Sequence, residues 1–553
     1  MSMFTNPLFL LFLLLISCSN ADDKDIVLYK NLRGYTFQAD SLVSFSALMT
    51  EKGKVIYIGQ EKPLYAVQPT KTIDLNGKTV LPGLIDAHAH VFGLGYLGIN
   101  VNLAGIDSKD STLKKIAAFA KENPENQWII GRGWNQTLWE ENEFPTAQDL
   151  DKLNIDKPVF LDRVDGHAAW ANSNALKLAG VSRETVDPDG GKIIRNKSGD
   201  PTGILVDNAI NLVERYMPER TKLEHEKALS LALKEMASLG MTGVHDAGIN
   251  VGAYEMYKDF ADRNELTTRI YAMIGGAGVD FDLISEKGLL KNYADDRLYV
   301  QSVKLYQDGA LGSRGAAMIH PYSDDPVNSG LLYYDQVELE KMMFKVASKG
   351  YQVNTHAIGD LANRTVLKAI KKTVDDLKLL DHRFRIEHAQ IVHPDDIPLF
   401  KDYGVIASMQ PTHATSDMNM AEERVGSDRI LGAYAWRSFL NQGTVLAAGS
   451  DFPVEDANPF FGLYSAITRK DQQGNPVEGW YPEQKLSREE ALKSFTIDAA
   501  WAGFMQDVTG SLEVGKWADF IVIDRNYFEI PESEIWQIQV LETWLGGEQV
   551  YKK

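Results

Sequence analysis

The chain has a single cysteine among its 553 residues, Cys18, so it cannot close an internal disulfide. It is short of positive charge: 57 Lys and Arg stand against 76 Asp and Glu, a formal net charge of −19. A surface of that sign repels a polyanion, which argues against nucleic acid as a partner. It leaves small substrates open, because clefts carry local fields of their own. The first 21 residues contain no Asp, Glu, Lys or Arg. Their unbroken apolar run, Leu8 to Ile16, is about half of what a membrane span needs. Internal repeats and low-complexity tracts are missing as well.

What is present reads as an ordinary globular chain, 44% apolar and 24% charged, long enough for one very large domain or several ordinary ones. The run Leu8 to Ile16 has the form of a secretory h-region. It ends Leu15-Ile16-Ser17-Cys18, which resembles a bacterial lipoprotein processing site. The resemblance implies a signal peptide over residues 1–18, lipid on Cys18, and a polar tether over 19–25. The protein would then be exported and lipid-anchored to the bacterial cell envelope, on its periplasmic or outer-surface side, with the anchor as its sole membrane contact. The segment before the apolar run lacks Lys and Arg, and an ordinary cleaved signal with an incidental cysteine is the alternative.

From Ile26 onward short β runs follow one another: Ile26–Tyr29, Ser41–Phe45, Lys54–Gly59 and Ile73–Leu75, with Asn76-Gly77 as a hairpin signal. That segment is too small to bury a core alone. The far end supplies a partner: a turn and strand over Gly510–Asp524, then Val540–Leu545 and Glu548–Tyr551 joined through Gly546-Gly547. Residues 26–78 and 506–553 are therefore expected to form one composite β-sandwich. Between them, over 79–505, apolar β runs alternate with helical patterns, which predicts parallel strands with crossover helices. The candidate strands are Thr79–Ile85, Thr242–His245, Arg269–Ile274, Val300–Leu305, Gln352–Thr355, Phe384–Glu387, Val405–Met409 and Thr444–Ala448. Eight is the number that closes an α/β (β/α)8 barrel of the TIM type. The interval from about 100 to 225 carries β runs of its own, including a hairpin of Lys192–Arg195 with Gly203–Val206, and reads as an inserted α+β subdomain after the first strand.

In such a barrel functional groups gather where strands end. The first candidate strand runs into Asp86, His88 and His90; residues two apart on a strand face the same way, so the two imidazoles share one place. Imidazole suits zinc, iron, nickel or manganese. Alone, such a pair is also compatible with two hydrogen-bonded surface histidines. Four other strands end in metal-capable residues, at Lys304 to Asp308, His356, Glu387-His388 and Asp451. Each has a plain structural alternative, Lys304 pairing with Asp308 among them, but one metal site explains all five places together. His245, at the end of the second strand, stays ambiguous. Asp86 reads as support for the ligand geometry from deeper in the barrel.

The chain resembles the amidohydrolase superfamily, and within it the amidohydrolase 3 subgroup. The matching motifs are Pro82-Gly-Leu-Ile-Asp-Ala-His-Ala-His90, Lys304-Leu-Tyr-Gln-Asp-Gly-Ala-Leu-Gly-Ser-Arg314, Asn354-Thr-His356, Glu387-His388-Ala-Gln, Gly449-Ser-Asp451 and Leu512-Glu-Val-Gly-Lys-Trp-Ala-Asp519. Gly131-Arg-Gly-Trp134 and Asp165-Gly-His167 extend the likeness into the insertion. The resemblance implies a binuclear centre. His88, His90 and Asp451 would hold one divalent metal ion and His356 and His388 the other, with zinc, iron or manganese as the metal. Lys304, carboxylated by carbon dioxide, would bridge them as a carbamate. It implies hydrolysis of a carbon–nitrogen bond in a small-molecule substrate by a hydroxide held between the metals, with Asp451 as the catalytic acid and base. His167, Arg314 and Trp134 are candidates for orienting the substrate, and Trp139 and Trp170 for lining an apolar pocket, or alternatively for packing and ion pairing. The superfamily likeness also suggests a homodimer. Hydrolysis of a cyclic amide, ester or carbamate is an alternative, and a lipid-tethered binding protein without turnover is a third reading from a different class.

Overall fold

The computed structural model describes residues 25–61 and 68–553. The expected signal segment, Cys18 and the tether up to residue 24 lie outside the described residues. No helix among the described residues is long and apolar enough to cross a membrane.

The centre is a ring of parallel strands. Barrel strands β1 to β8 are Leu84–Ala89, Met241–Ile249, Arg269–Gly275, Leu298–Tyr306, Gln352–Ala357, Arg385–His388, Ile406–Met409 and Leu446–Ala448. They are hydrogen-bonded in chain order from β1 to β8. The register sets Lys304 beside Asn354, Asn354 beside Arg385, and His356 beside Glu387. Between β8 and β1 the ring closes at its C-terminal end. Asp451 N–H donates to His88 O (2.8 Å) and His90 N–H donates to Phe452 O (2.8 Å).

Crossover helices pack outside this ring. Helix α1 (Val91–Leu97) follows β1, α2 (Lys222–Ser238) precedes β2, α3 (Val251–Asp262) follows β2, α4 (Pro411–Asp417) follows β7, and α5 (Arg488–Ser494) comes after β8. Their boundaries have local causes. Thr221 with Glu224 and Ser487 with Glu490 form capping boxes at the starts of α2 and α5. Helix α2 buries Ala228, Leu229, Ala232, Leu233, Met236 and Ala237, positions three and four apart on one stripe.

The barrel's first strand starts later than expected. Pro82 has no N–H and Gly83 no side chain, and together they split the apolar run. Thr79–Pro82 pairs with Phe520–Ile523 in the terminal sandwich, and only from Leu84 does the chain enter the barrel. A Cβ on Gly83 would lie 2.0 Å from Thr242 Oγ1, so the crossing requires glycine. Asn76-Gly77 differs from expectation in another way. Lys78 N–H donates to Leu75 O (3.0 Å) and both central residues have positive φ, the geometry of a tight hairpin turn. Yet the strands it joins lie in different sheets, Lys71–Asp74 beside Ile26–Lys30 and Thr79–Pro82 beside Arg33–Gln38.

The two termini build a four-stranded and a six-stranded sheet, with the C-terminal strands all in the second. The insertion is a six-stranded mixed sheet with its own buried clusters. Its hairpin pairs Gly191–Arg195 with Pro201–Asp207.

Candidate metal centre

The seam between β8 and β1 carries the chemistry. Asp86 is buried and accepts from Ser450 Oγ (2.6 Å), Ser450 N (3.0 Å) and His88 N (3.1 Å), so it ties the two strands together beneath the site. Gly449 permits this approach: a Cβ there would lie 2.5 Å from His88 N and 2.6 Å from Asp86 Oδ1. His388 and Asp451, at the ends of β6 and just past β8, both have positive φ, 76° and 63°. Such backbone is uncommon outside glycine and clusters at functional sites.

His88, His388 and Asp451 offer ligand atoms that all lie within 4.8 Å of one another. The remaining rings form a chain around them. His88 and His90 centroids are 5.7 Å apart, His88 and His388 4.8 Å, and His388 and His356 4.5 Å. Lys304 Nζ is 3.2 Å from His88 Nε2. Asp451 Oδ1 lies 3.2 Å from His90 Nε2 and 3.5 Å from His88 Nε2.

These groups fit divalent cations. A metal-ligating histidine uses one ring nitrogen and anchors the other. His88 Nδ1 is 2.6 Å from Glu387 Oε2, and His388 Nδ1 is 2.8 Å from Gln410 Oε1, which leaves both Nε2 atoms facing the cluster. Asp451 Oδ1 and His356 Nε2 are buried and lack an aligned hydrogen bond, an arrangement that costs free energy unless something else binds them. Protonation also agrees. Burial, with Lys304 nearby, pushes His88 down to about 4, and burial lowers His356 and His388. All three are therefore neutral imidazoles, the ligand form. Burial would raise Asp451, but His413, His90 and the neighbouring rings hold it well below the usual carboxylate range. Burial lowers the Lys304 amine to about 8. Lys304 does not pair with Asp308. That carboxylate accepts from the N–H groups of Ala317 (2.9 Å), Ile358 (3.0 Å) and Gly359 (2.8 Å) and so pins the loop after β4.

One residue of the site was not singled out from the sequence. His413, buried on α4, sits with Nε2 3.3 Å from Asp451 Oδ2 and Nδ1 3.0 Å from Glu455 Oε1. Ser416 Oγ donates to the same Glu455 oxygen (2.5 Å). Burial would lower His413, but its bonds to the two carboxylates carry it to about 10. Its strand ends at Met409 without a metal-type residue, and three residues, Gln410 to Thr412, intervene. The signal in the sequence was Gln410-Pro-Thr-His413, where Pro411 fixes the helix start that turns His413 inward.

The substrate-orienting candidates separate. His167 Nδ1 lies 2.8 Å from Asp207 Oδ1. Burial would lower His167, but Asp207, Asp165 and Asp308 raise it overall, and its charge in turn reaches His356. Its electrostatic partners Asp308 and His356 lie at the ends of β4 and β5. Trp134 is fully buried, donates Nε1–H to Leu161 O (2.7 Å) and packs against Trp139, Trp170 and Phe144 in the insertion's own core. Trp139 and Trp170 belong to the same core, so the expectation of an aromatic pocket wall from these residues is corrected. Arg314 is also not free for substrate. Its Nε and second amino group donate to Asp324 (3.1 and 2.8 Å), a carboxylate shared with Arg424. His245 is a structural group: buried, with Nδ1 accepting from Arg385 (2.9 Å) and its ring against Tyr271.

A cavity of about 770 Å³ opens beside His90, between α1, α3 and the end of β2. Phe92, Tyr96, Ile249, Ala253 and Met256 line it. Its size is that of a small-molecule site.

Comparison with known proteins agrees with this architecture. The chain is 35% identical over 534 residues to the protein LONG AFTER FAR-RED 3 of Arabidopsis thaliana, covering 94% of this chain and 90% of that one. It is 27% identical over 529 residues to the N-substituted formamide deformylase of Arthrobacter pascens, covering 92% and 95%. The crystal structure of an uncharacterized metal-dependent hydrolase from Pyrococcus horikoshii OT3 superposes with a TM-score of 0.75 at 29% identity, over 92% of this chain and 99% of that one. The model of the amidohydrolase family matches residues 71–551, and the chain belongs to that family of hydrolases.

Proposed function

We propose that the protein is a metal-dependent amidohydrolase that cleaves the carbon–nitrogen bond of a small linear amide with a substituted nitrogen. The observation that carries this reading is the cluster of His88, His388 and Asp451, held by Glu387, Gln410 and His413 beside the buried Lys304. The Arthrobacter relative, named for deformylating N-substituted formamides, supports the choice of bond.

His88, His90 and Asp451 would hold one divalent ion, zinc, iron or manganese, and His356 and His388 a second, with Lys304 between them. The ions would polarise the substrate carbonyl and lower the pKa of the attacking water. The neutral amine of Lys304 is the form that combines with carbon dioxide, and its burial favours that form. As a carbamate it is an anionic oxygen ligand, which an ammonium is not.

The chain's own groups then manage the proton. As water adds to the carbonyl carbon, Asp451 takes one proton from it. As the carbon–nitrogen bond breaks, Asp451 returns that proton to the departing nitrogen, giving a carboxylic acid and an amine. His413 fixes the second oxygen of Asp451, so the first stays turned toward His88 and His90. His167, held by Asp207, would donate to the carbonyl side of the substrate.

The test is to purify the full chain, measure bound metal after supplementation with zinc and bicarbonate, and assay a panel of amides and esters. Metal and amide hydrolysis are expected together. Absence of metal under those conditions overturns the reading. Lys304→Ala should lose metal and activity together, and full activity in that variant refutes the carbamate.

A further inference from the structure

We infer that the cavity beside His90 is the subsite for the substituent on the leaving nitrogen, and that it takes an uncharged apolar group of aromatic or branched-alkyl type. This rests on the amide-hydrolase reading above and adds which side of the bond is recognised, and by what.

Position gives the side. His90 is the ligand candidate that forms part of the cavity wall, and its Nε2 is 3.2 Å from Asp451 Oδ1. Asp451 hands its proton to the leaving nitrogen, so that nitrogen departs next to His90 and its substituent extends into the space beyond. His356, His167 and Asp207 stand elsewhere, around Asp308.

Chemistry gives the class. The wall free for contact is Phe92, Tyr96, Ile249, Ala253 and Met256. The charged groups on the rim are already engaged. Glu255 pairs with Lys287, Asp259 with Arg263 (3.0 Å) and Lys222 with Glu226 (3.6 Å). Asp246 accepts from Tyr257 Oη (2.5 Å) and Val91 N (2.9 Å). His225 Nδ1 is taken by Tyr96 Oη (2.5 Å). An anionic substituent would find no unpaired cation among these groups, a cationic one would meet only Asp246, buried and already hydrogen-bonded, and either would lose its water, whereas an apolar one gains by burial. The insertion's tryptophans were the sequence's candidates for this task, and the structure gives them to the insertion's core.

The experiment compares N-methylformamide with N-(2-naphthylmethyl)formamide on the metal-loaded full chain. The naphthylmethyl compound is expected to have a kcat/KM about 100-fold higher, in the range that apolar pockets discriminate. Ala253→Trp, which fills the cavity from α3, should reduce that ratio to near one. Phe92→Ala, which removes wall area instead of adding bulk, should lower it about tenfold. Hydrolysis of both compounds at equal efficiency by the unaltered protein overturns this inference and leaves the amide-hydrolase reading standing. Hydrolysis of neither overturns that reading, and calorimetric titration with the same two amides then decides the subsite. Tighter binding of the naphthylmethyl compound, lost in Ala253→Trp, supports it, and equal binding overturns it.

Discussion

Replacing Asp519 by alanine should destabilise the whole molecule by about 5 kcal/mol while leaving the metal-binding groups untouched. Asp519 ends the Leu512–Asp519 motif, just before the strand Phe520–Ile523, and meets Arg269, the first residue of β3, at the foot of the barrel. The carboxylate accepts from Arg269 Nε (2.7 Å) and its second amino group (2.9 Å), from Thr509 Oγ1 (2.7 Å) and from Gly546 N (2.7 Å). The side chains of Arg269 and Asp519 are 1% and 2% exposed. Breaking a buried pair by removing one partner costs about 3–5 kcal/mol, since the other charge stays buried. The orphaned Thr509 hydroxyl and Gly546 N–H would each add about 1–3 kcal/mol if nothing replaced the lost oxygen. Water entering the space left by the carboxylate, and one backbone acceptor, Asp295 O at 2.9 Å, keep the sum near the lower end.

Calorimetry reads this directly. At about 2.1 cal/mol/K per residue, 553 residues melting together carry an unfolding entropy of about 1.2 kcal/mol/K, so about 5 kcal/mol lowers Tm by about 4 °C. An earlier, separate transition of the sandwich is the other form the loss would take, because this pair spans its junction with the barrel. The double variant Arg269→Leu with Asp519→Leu should recover most of the loss, since it removes both charges. A Tm for Asp519→Ala within about 1 °C of the parent would refute the reasoning, at about 1.2 kcal/mol/K.

Trp134→Phe should lower stability by about 1 kcal/mol, through loss of the bond to Leu161 O, and leave KM unchanged; a raised KM at unchanged stability would return Trp134 to the substrate site. His413→Ala should reduce kcat about 10- to 100-fold with metal content retained, and His413→Gln, which keeps a donor toward Asp451, should recover part of it; metal loss in step with activity would make His413 merely structural. Glu490 lies at about 2 through its bidentate bonds to Arg437, despite burial that raises it, and with the Ser487 cap also lowering it. Its folded-state pKa is depressed, so its stabilisation is present above about 4.5, the unfolded value, and is lost as pH falls toward about 2. The side chain is 34% exposed, so solvent screening cuts the linkage value to about 1 kcal/mol. Urea titration of Glu490→Gln against the parent should show that difference at pH 7 and little of it near pH 2; an equal difference at both would contradict the assignment.

The sequence by itself determined the barrel's strand order and most of its helices, because alternation of β runs with helical stripes is local. The expected strand Arg269–Ile274 matches β3 to within one residue, and Gln352–Thr355 starts β5 at its first residue. It also determined which residue types end the strands, since a histidine or aspartate just after an apolar run needs no knowledge of neighbours. Residue roles that depend on partners far along the chain were settled only by tertiary structure. Trp134 and His167 come from similar short motifs in the same insertion, yet one meets three aromatic rings and a carbonyl while the other meets Asp207. Arg314 looked available until Asp324 claimed it. His413 looked idle until the turn at Pro411 set it between Asp451 and Glu455, 38 and 42 residues away. The cavity wall is assembled from α1 and α3, which are about 150 residues apart in sequence and become neighbours because both flank parallel strands of one closed ring. Periodicity and turn chemistry are carried by adjacent residues, whereas pairing of charges, burial of aromatics and the shape of a pocket are properties of what the fold brings next to them.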